Sequence, residues 1–186
     1  MDKRELRAAM RELKRILLPC IDRQRCEDAV FSAIESLREF TCSRNILMYC
    51  SLADELPTMS TLNRWRATGK QVYLPRVNGD FLDIMPYDPE CMEKGAFGIN
   101  EPASGIKVRP ETIDMVVVPG MAFDCEGNRL GRGRGFYDRL LSGMKSTVIT
   151  VGVGYDFQLL DHVPVDEHDM KLDYVATPSC IIIKKK

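Results

Sequence analysis

The chain has 186 residues, 45% hydrophobic and 28% charged, enough to bury one ordinary core without disulfides or a partner. Lys plus Arg total 26 against 27 for Asp plus Glu, a net charge of -1, which excludes a global attraction to nucleic acid or to an anionic membrane surface. Seven cysteines (Cys20, Cys26, Cys42, Cys50, Cys91, Cys125 and Cys180) are odd in number and scattered, with no C-x-x-C pair. They fit the reduced thiols of a cytoplasmic protein.

From Asp2 to Leu18, apolar Leu6, Ala9, Met10, Leu13, Ile16 and Leu17 recur at helical spacing beside a stripe of Lys3, Arg7, Arg11 and Lys14. This predicts a helix docked by one face and ended by Pro19, and the segment lacks the apolar core of a signal peptide. A second helix is predicted from about Asp22 to Phe40, with Ala29, Val30, Ala33, Ile34 and Leu37 facing inward. Asn45 to Cys50 then reads as a buried strand, Pro57 to Thr68 as a helix stopped by Gly69, and Gln71 to Val77 as a strand. An Asn78-Gly79-Asp80 turn leads into a strand from Phe81 to Tyr87, which suggests a hairpin.

Glu90 to Pro110 is rich in Gly and Pro and reads as a long ordered loop. Asp114 to Val118, Thr147 to Val153 and the β-rich Val175 to Ile183 complete the strands. No apolar run approaches the roughly 20 residues that cross a bilayer. Strands alternating with helices predict an α/β protein, a single domain over residues 1–186 built as a three-layer α/β/α sandwich. Its sheet is expected to be largely parallel but mixed, edged by one antiparallel element, with ligands at the carboxyl ends of the strands.

The stretch Gly127-Asn128-Arg129-Leu130-Gly131-Arg132-Gly133-Arg134-Gly135-Phe136-Tyr137-Asp138 carries the chemistry. Glycines at alternate positions let backbone N–H groups turn inward as an anion nest, and the interleaved arginines add charge. A helix starting near Phe136 would aim its N-terminus at the same anion. The run is neither a Walker A loop nor a dinucleotide fingerprint. Taken alone it fits a phosphate cradle, a flexible surface turn or an RNA-contacting tract.

Lys3-x-x-Leu6-Arg7, Asp54-Glu55 after a strand, Leu74-Pro75-Arg76, Phe97-Gly98-Ile99-x-Glu101-Pro102, the Pro119 to Asp138 block and Met170-Lys171-x-Asp173 together resemble the 5-formyltetrahydrofolate cyclo-ligases, over essentially the whole chain and in order. The resemblance implies an ATP- and Mg²⁺-dependent enzyme that closes 5-formyltetrahydrofolate to 5,10-methenyltetrahydrofolate. It implies that Lys3, Arg4, Glu5, Leu6 and Arg7 bind ATP together with Arg129, Leu130, Gly131, Arg132, Gly133, Arg134, Gly135, Phe136 and Tyr137. Cys50, Glu55, Phe97 and the Arg132 to Phe136 backbone would line the folate pocket, with Phe97 stacked on the pterin. Asp138 and Asp173 would hold Mg²⁺. Phe136 stands where the pattern often carries tyrosine.

Each assignment has a physical reading and a plainer one beside it. Lys3 and Arg4 in a first helical turn oppose the macrodipole, which a bound anion would explain, though a solvated basic face is also common. Asp138 and Asp173 are hard oxygen ligands suited to Mg²⁺, or helix caps and surface carboxylates. Glu55 follows a strand at its carboxyl end, where a carboxylate can accept pterin N–H groups, or is a charged loop residue. The two histidines, His162 and His168, lack zinc-ligand spacing with any cysteine.

In the implied reaction ATP turns the formyl oxygen into a leaving group. Arg132, Arg134 and Lys3 are the expected catalytic charges on the transferring phosphoryl group. Partners are expected to be small molecules alone, ATP and 5-formyltetrahydrofolate, with no nucleic acid, no membrane and a monomeric chain. The competing readings are a non-catalytic nucleotide- or RNA-binding module and a small-molecule kinase.

Overall fold

The computed structural model describes residues 1–95 and 98–184. Helix α1 (Lys3–Leu17) opens on Asp2, whose carboxylate accepts from the Arg4 and Glu5 amides at 2.7 and 2.8 Å, while Glu5 accepts from the Asp2 amide at 2.9 Å. This reciprocal capping box typically stabilises a helix start by about 1 kcal/mol. Leu6 and Met10 pack on Met121, Ala122, Leu130 and Val163.

The single helix expected over Asp22 to Phe40 is two, α2 (Arg23–Glu35) and α3 (Arg38–Cys42). Leu37 between them is extended, and the Ser36 hydroxyl donates to the Ala33 carbonyl at 2.6 Å. A serine bonding backward in this way competes with the helical ladder.

The strands, in chain order, are β1 (Asn45–Leu47), β2 (Gln71–Asn78), β3 (Phe81–Pro86), β4 (Met92–Lys94), β5 (Asn100–Pro102), β6 (Met115–Pro119), β7 (Ala122–Asp124), β8 (Arg129–Leu130), β9 (Ile149–Val153), β10 (Leu159–Leu160), β11 (Tyr174–Ala176) and β12 (Ile181–Ile183). Helix α4 (Met59–Ala67) joins β1 to β2, and α5 (Phe136–Ser142) joins β8 to β9.

A seven-stranded sheet has the order β12-β11-β9-β6-β1-β2-β3. Its five inner strands are parallel, and β3 and β12 run antiparallel at the two edges. One antiparallel edge was expected from the Asn78-Gly79-Asp80 turn. The second arises because Val175 to Ile183 folds back on itself at Thr177 to Cys180. Likewise, the expected loop from Glu90 to Pro110 contains the β4–β5 hairpin, and β10-β7-β8 form a small separate sheet.

The apolar run of β6 explains the layering. Met115 and Val117 face Val30, Phe31, Leu62 and Trp65, in or packed beside α2 and α4. Val116 and Val118 face Leu140 and Leu141 of α5. A strand buried on both faces reads as continuously apolar rather than alternating, and each fully buried valine contributes about 1.5–3 kcal/mol. The three-layer α/β/α sandwich follows.

Chain order places the site. From β1 the chain moves to β2 and β3 on one side, then returns to β6 and continues to β9 and β11 on the other. Loops leaving β1 and β6 therefore part at their carboxyl ends, which opens a crevice between them.

Candidate active site

The crevice is a cleft of about 610 Å³. Tyr49, Cys50, Leu52 and Glu55 after β1 and Pro119-Gly120 at the end of β6 line it, together with residues of α1, the β2–β3 hairpin and the Gly131 to Gly135 loop. That loop carries two glycines at positive φ, Gly133 at 101° and Gly135 at 66°, a conformation that any side chain would strain.

One wall is basic. Lys3 and Arg7 stand one helical turn apart and both face the cleft. Arg7 Nε donates to the Gly131 carbonyl at 2.8 Å, tying α1 to the glycine loop. Arg129 is almost buried; it donates to Asp138 Oδ1 at 2.9 Å and lies 5.6 Å from the Tyr137 ring centre. Its Nε is buried without an acceptor among the described residues, which leaves one donor unsatisfied beside the cleft. Arg134 completes the wall.

Arg132 bridges two acids, donating from Nε to Glu55 Oε1 at 3.0 Å and from an Nη to Asp54 Oδ1 at 2.5 Å. The other Glu55 oxygen accepts from the Leu52 amide at 3.0 Å. Asp54 also meets Lys14, a lysine only 2% exposed, whose ammonium donates to the Asp54 carbonyl at 2.8 Å and reaches its carboxylate at 3.4 Å. Burial alone would raise the Asp54 pKa, but Lys14 and Arg132 outweigh it and hold it below the ordinary carboxylate value. Burial lowers the Lys14 pKa despite its acidic neighbours.

At the far end of the cleft the Lys3 ammonium sits between Asp166, at 2.7 Å, and Asp169. Burial would lower the Lys3 pKa, yet the hydrogen bonds to both carboxylates raise it overall. Another part of the lining is largely apolar: Cys50, Pro75, Val77, Leu82 and Ile99, with Glu55 and Glu101 both buried. Burial pushes the Cys50 thiol up, and it drives the Tyr137 hydroxyl far above its usual range.

The fold thus brings Lys3, Arg7, Arg129 to Tyr137, Cys50, Glu55 and Asp138 into one cleft. Three residues of the N-terminal stretch stay out of it. Arg4 and Glu5 are exposed, Glu5 serving the capping box, and Leu6 packs in the core beneath. A helix presents every third or fourth residue to one side, so a contiguous run cannot all face the cleft.

Asp173 is also elsewhere. Its carboxylate accepts from the Thr150 amide at 2.9 Å and hydroxyl at 2.8 Å, fastening the amino-terminal ends of β9 and β11, whereas the cleft lies at the carboxyl ends. Asp169, four residues earlier, and Asp166 before it are the acids of that segment that line the cleft. Phe97 lies outside the described residues. The sequence reading named Asp54 and Lys14 without a role at the site and did not single out Asp166 or Asp169. Only Asp54, next to Glu55 after a strand, carried a positional signal.

Among the described residues no group of three or more His, Cys, Asp or Glu is set to hold a metal. Mg²⁺ asks for less, one or two carboxylates with water and phosphate oxygens completing its shell. Asp138, one-fifth exposed, and the Asp166–Asp169 pair supply such oxygens on the cleft wall. That pair already stabilises one cation, the Lys3 ammonium. The donor set fits.

Residues 1–178 match the model of the 5-formyltetrahydrofolate cyclo-ligase family. The chain is 31% identical over 177 residues to the 5-formyltetrahydrofolate cyclo-ligase of Haemophilus influenzae, covering 91% of this chain and 94% of that protein. To the enzyme of the same name from Mus musculus it is 29% identical over 188 residues, covering 93% and 92%. Among solved structures, the 5,10-methenyltetrahydrofolate synthetase of Aquifex aeolicus superposes with a TM-score of 0.88 at 36% identity, covering all of this chain and 94% of that one. The match spans every strand but β12, the glycine-arginine loop and the acids of the cleft, and the chain belongs to the 5-formyltetrahydrofolate cyclo-ligase family.

Proposed function

We propose that the chain uses ATP to close 5-formyltetrahydrofolate to 5,10-methenyltetrahydrofolate, releasing ADP and phosphate. One observation carries this reading beyond family membership: the cleft lining joins a basic cluster to an apolar one. A polyphosphate suits the wall of Lys3, Arg7, Arg129, Arg132 and Arg134, and a flat heterocycle suits the apolar wall beside Glu55. Two substrates that must react with each other fit side by side.

The chemistry needs that arrangement because a formamide carbon is a poor electrophile. The formyl oxygen forms a bond to the γ-phosphorus as the bond to ADP breaks, giving a phosphorylated N5-iminium. The N10 lone pair then adds to the activated carbon. Loss of the N10 proton to solvent and departure of phosphate with its C–O electron pair leave the methenyl bridge.

The residues of the cleft position and neutralise. Arg132 and Arg134 spread positive charge over the transferring oxygens, and Lys3 and Arg7 hold the nucleotide phosphates. Glu55 accepts N–H groups of the pterin, and Cys50 with the apolar wall excludes water around it. Asp138 and Asp169 are the residues that would hold Mg²⁺, which supplies charge neutralisation on phosphate oxygens. The same reading has the protein acting on small molecules alone, as a cytoplasmic monomer; no helix among the described residues is long and apolar enough to cross a membrane.

Incubation with 5-formyltetrahydrofolate, ATP and Mg²⁺ is expected to generate the near-UV absorbance of the methenyl product. A small-molecule kinase would consume ATP without that chromophore, and a binding module would consume none. Either outcome rejects the proposal.

A further inference from the structure

Neither Lys14 nor Asp54 lines the cleft or has a task in the reaction just described, yet both are tied to Arg132, which does line it. A lysine 2% exposed is a costly residue to retain, and this one spends its charge on the carbonyl and carboxylate of a single aspartate. That aspartate grips Arg132 at 2.5 Å, while Glu55 takes the other side of the same guanidinium at 3.0 Å. Lys14, Asp54, Arg132 and Glu55 form a chain of alternating charge that ends on the carboxylate assigned to the pterin.

We infer that Lys14 and Asp54 are positioning residues that park Arg132 against Glu55 until the folate arrives, so that the two substrates bind cooperatively. This rests on the cyclo-ligase reading of the cleft. Hydrogen bonds compete for one carboxylate oxygen. Glu55 Oε2 is committed to the Leu52 amide, so Oε1, which holds Arg132, is the oxygen a pterin N–H must share or take over. Seating the pterin weakens the grip on Arg132. The arginine is 39% exposed and flanked by Gly131 and Gly133, and it can swing from Asp54 onto a phosphate. Without folate, a nucleotide must break two charge-assisted bonds to recruit the same side chain. The arrangement keeps the phosphoryl-transferring charge away from ATP when no acceptor is present.

Because coupling free energy is reciprocal, folate should tighten nucleotide and nucleotide should tighten folate by the same factor. Calorimetric titration with the non-transferable analogue AMP-PNP, with and without saturating 5-formyltetrahydrofolate, reads this directly. The unaltered protein is expected to bind AMP-PNP about tenfold tighter with folate present, within the usual span of such couplings. Asp54→Asn is expected to tighten AMP-PNP several-fold in the absence of folate and to cut the coupling below twofold. Lys14→Met should move both quantities the same way by less, and Lys14→Arg should restore them. In an Arg132→Gln background Asp54→Asn should change nothing, which separates parking from the mere loss of a negative charge near phosphate.

Coupling below twofold in the unaltered protein, or a gain from Asp54→Asn that survives in the Arg132→Gln background, overturns the inference and leaves the cyclo-ligase reading intact. Failure of AMP-PNP or 5-formyltetrahydrofolate to bind at all overturns both.

Discussion

The two ends of the parallel strands use the same residue types for opposite purposes. At the amino ends, Asp173 accepts from the Thr150 amide and hydroxyl, and Asp114 accepts from the amides of Arg44 and Asn45 at 2.9 and 2.7 Å. At the carboxyl ends, Asp54 and Glu55 meet Arg132, Asp138 meets Arg129, and Asp166 and Asp169 meet Lys3. Carboxylates of the first kind are spent on backbone that cannot leave. Those of the second kind face long, charged side chains that can exchange one partner for another. A carboxylate satisfied by backbone N–H groups is a fastener, and one satisfied by arginine or lysine at the mouth of a crevice is available for ligand chemistry.

The largest effect expected from breaking this contrast is at Arg132. Arg132→Ala should lower kcat by on the order of a hundredfold or more with a smaller change in the ATP KM, because charge at a reacting centre acts chiefly in the transition state. Steady-state kinetics with ATP varied at saturating folate measures both; an unchanged kcat would reduce the arginine to an anchor. Glu55→Gln comes next. Weakening a charge-assisted hydrogen bond to the pterin costs about 1.5–3 kcal/mol, so the folate KM should rise roughly ten- to a hundredfold while the ATP KM moves little. An equal rise in both would argue against the assignment of Glu55 to the folate wall.

The aspartates give the sharpest pairwise test. Asp138→Asn at the carboxyl end should weaken the apparent Mg²⁺ affinity by about tenfold, and by more than the folate affinity, while the asparagine oxygen still accepts from Arg129. Asp173→Ala at the amino end should leave kinetics per folded molecule unchanged and lower stability by about 1–3 kcal/mol, the cost of orphaning the Thr150 amide. Metal titrations and melting curves of the two variants should cross over. If Asp173→Ala shifted the metal dependence instead, the two-ended description of the sheet would be wrong.

Much of this contrast was legible before the fold was known. Runs such as Met115 to Val118 declared strands buried on both faces, and the Asn78-Gly79-Asp80 turn declared the β2–β3 hairpin. The glycine-arginine loop announced itself by composition. What stayed hidden depended on contacts distant in sequence. The short strands β7, β8 and β10 are held by pairing rather than by periodicity, and Lys3 meets Asp169 across 166 residues of chain. Asp173 does not line the cleft, for a reason the fold makes plain: an acid immediately before a parallel strand lies at that strand's amino end. Asp169, further back in the connecting segment, is still beside the cleft.

The smallest predicted effect concerns Asp54 and can be read from pH alone. Its carboxyl ionises more readily in the folded chain than its ordinary value of 3.8, because Lys14 and Arg132 outweigh the penalty of burial. A carboxylate whose folded pKa is depressed adds stability that is present above the unfolded pKa and is lost as pH falls through the folded one. The side chain is 35% exposed, so solvent screening holds the contribution to about 1 kcal/mol or less. At pH 7 Asp54→Asn should therefore melt only a few degrees below the unaltered protein. The gap should narrow as the pH drops below about 3.8, where the unfolded chain takes up the proton, and close once the folded carboxyl is protonated as well and the two chains carry the same charge. High salt at pH 7 should narrow it as well, since the pair is half open to water. A gap constant through the acid range would assign the difference to packing of the asparagine amide, and Lys14 and Arg132 would then hold Asp54 by geometry rather than by charge.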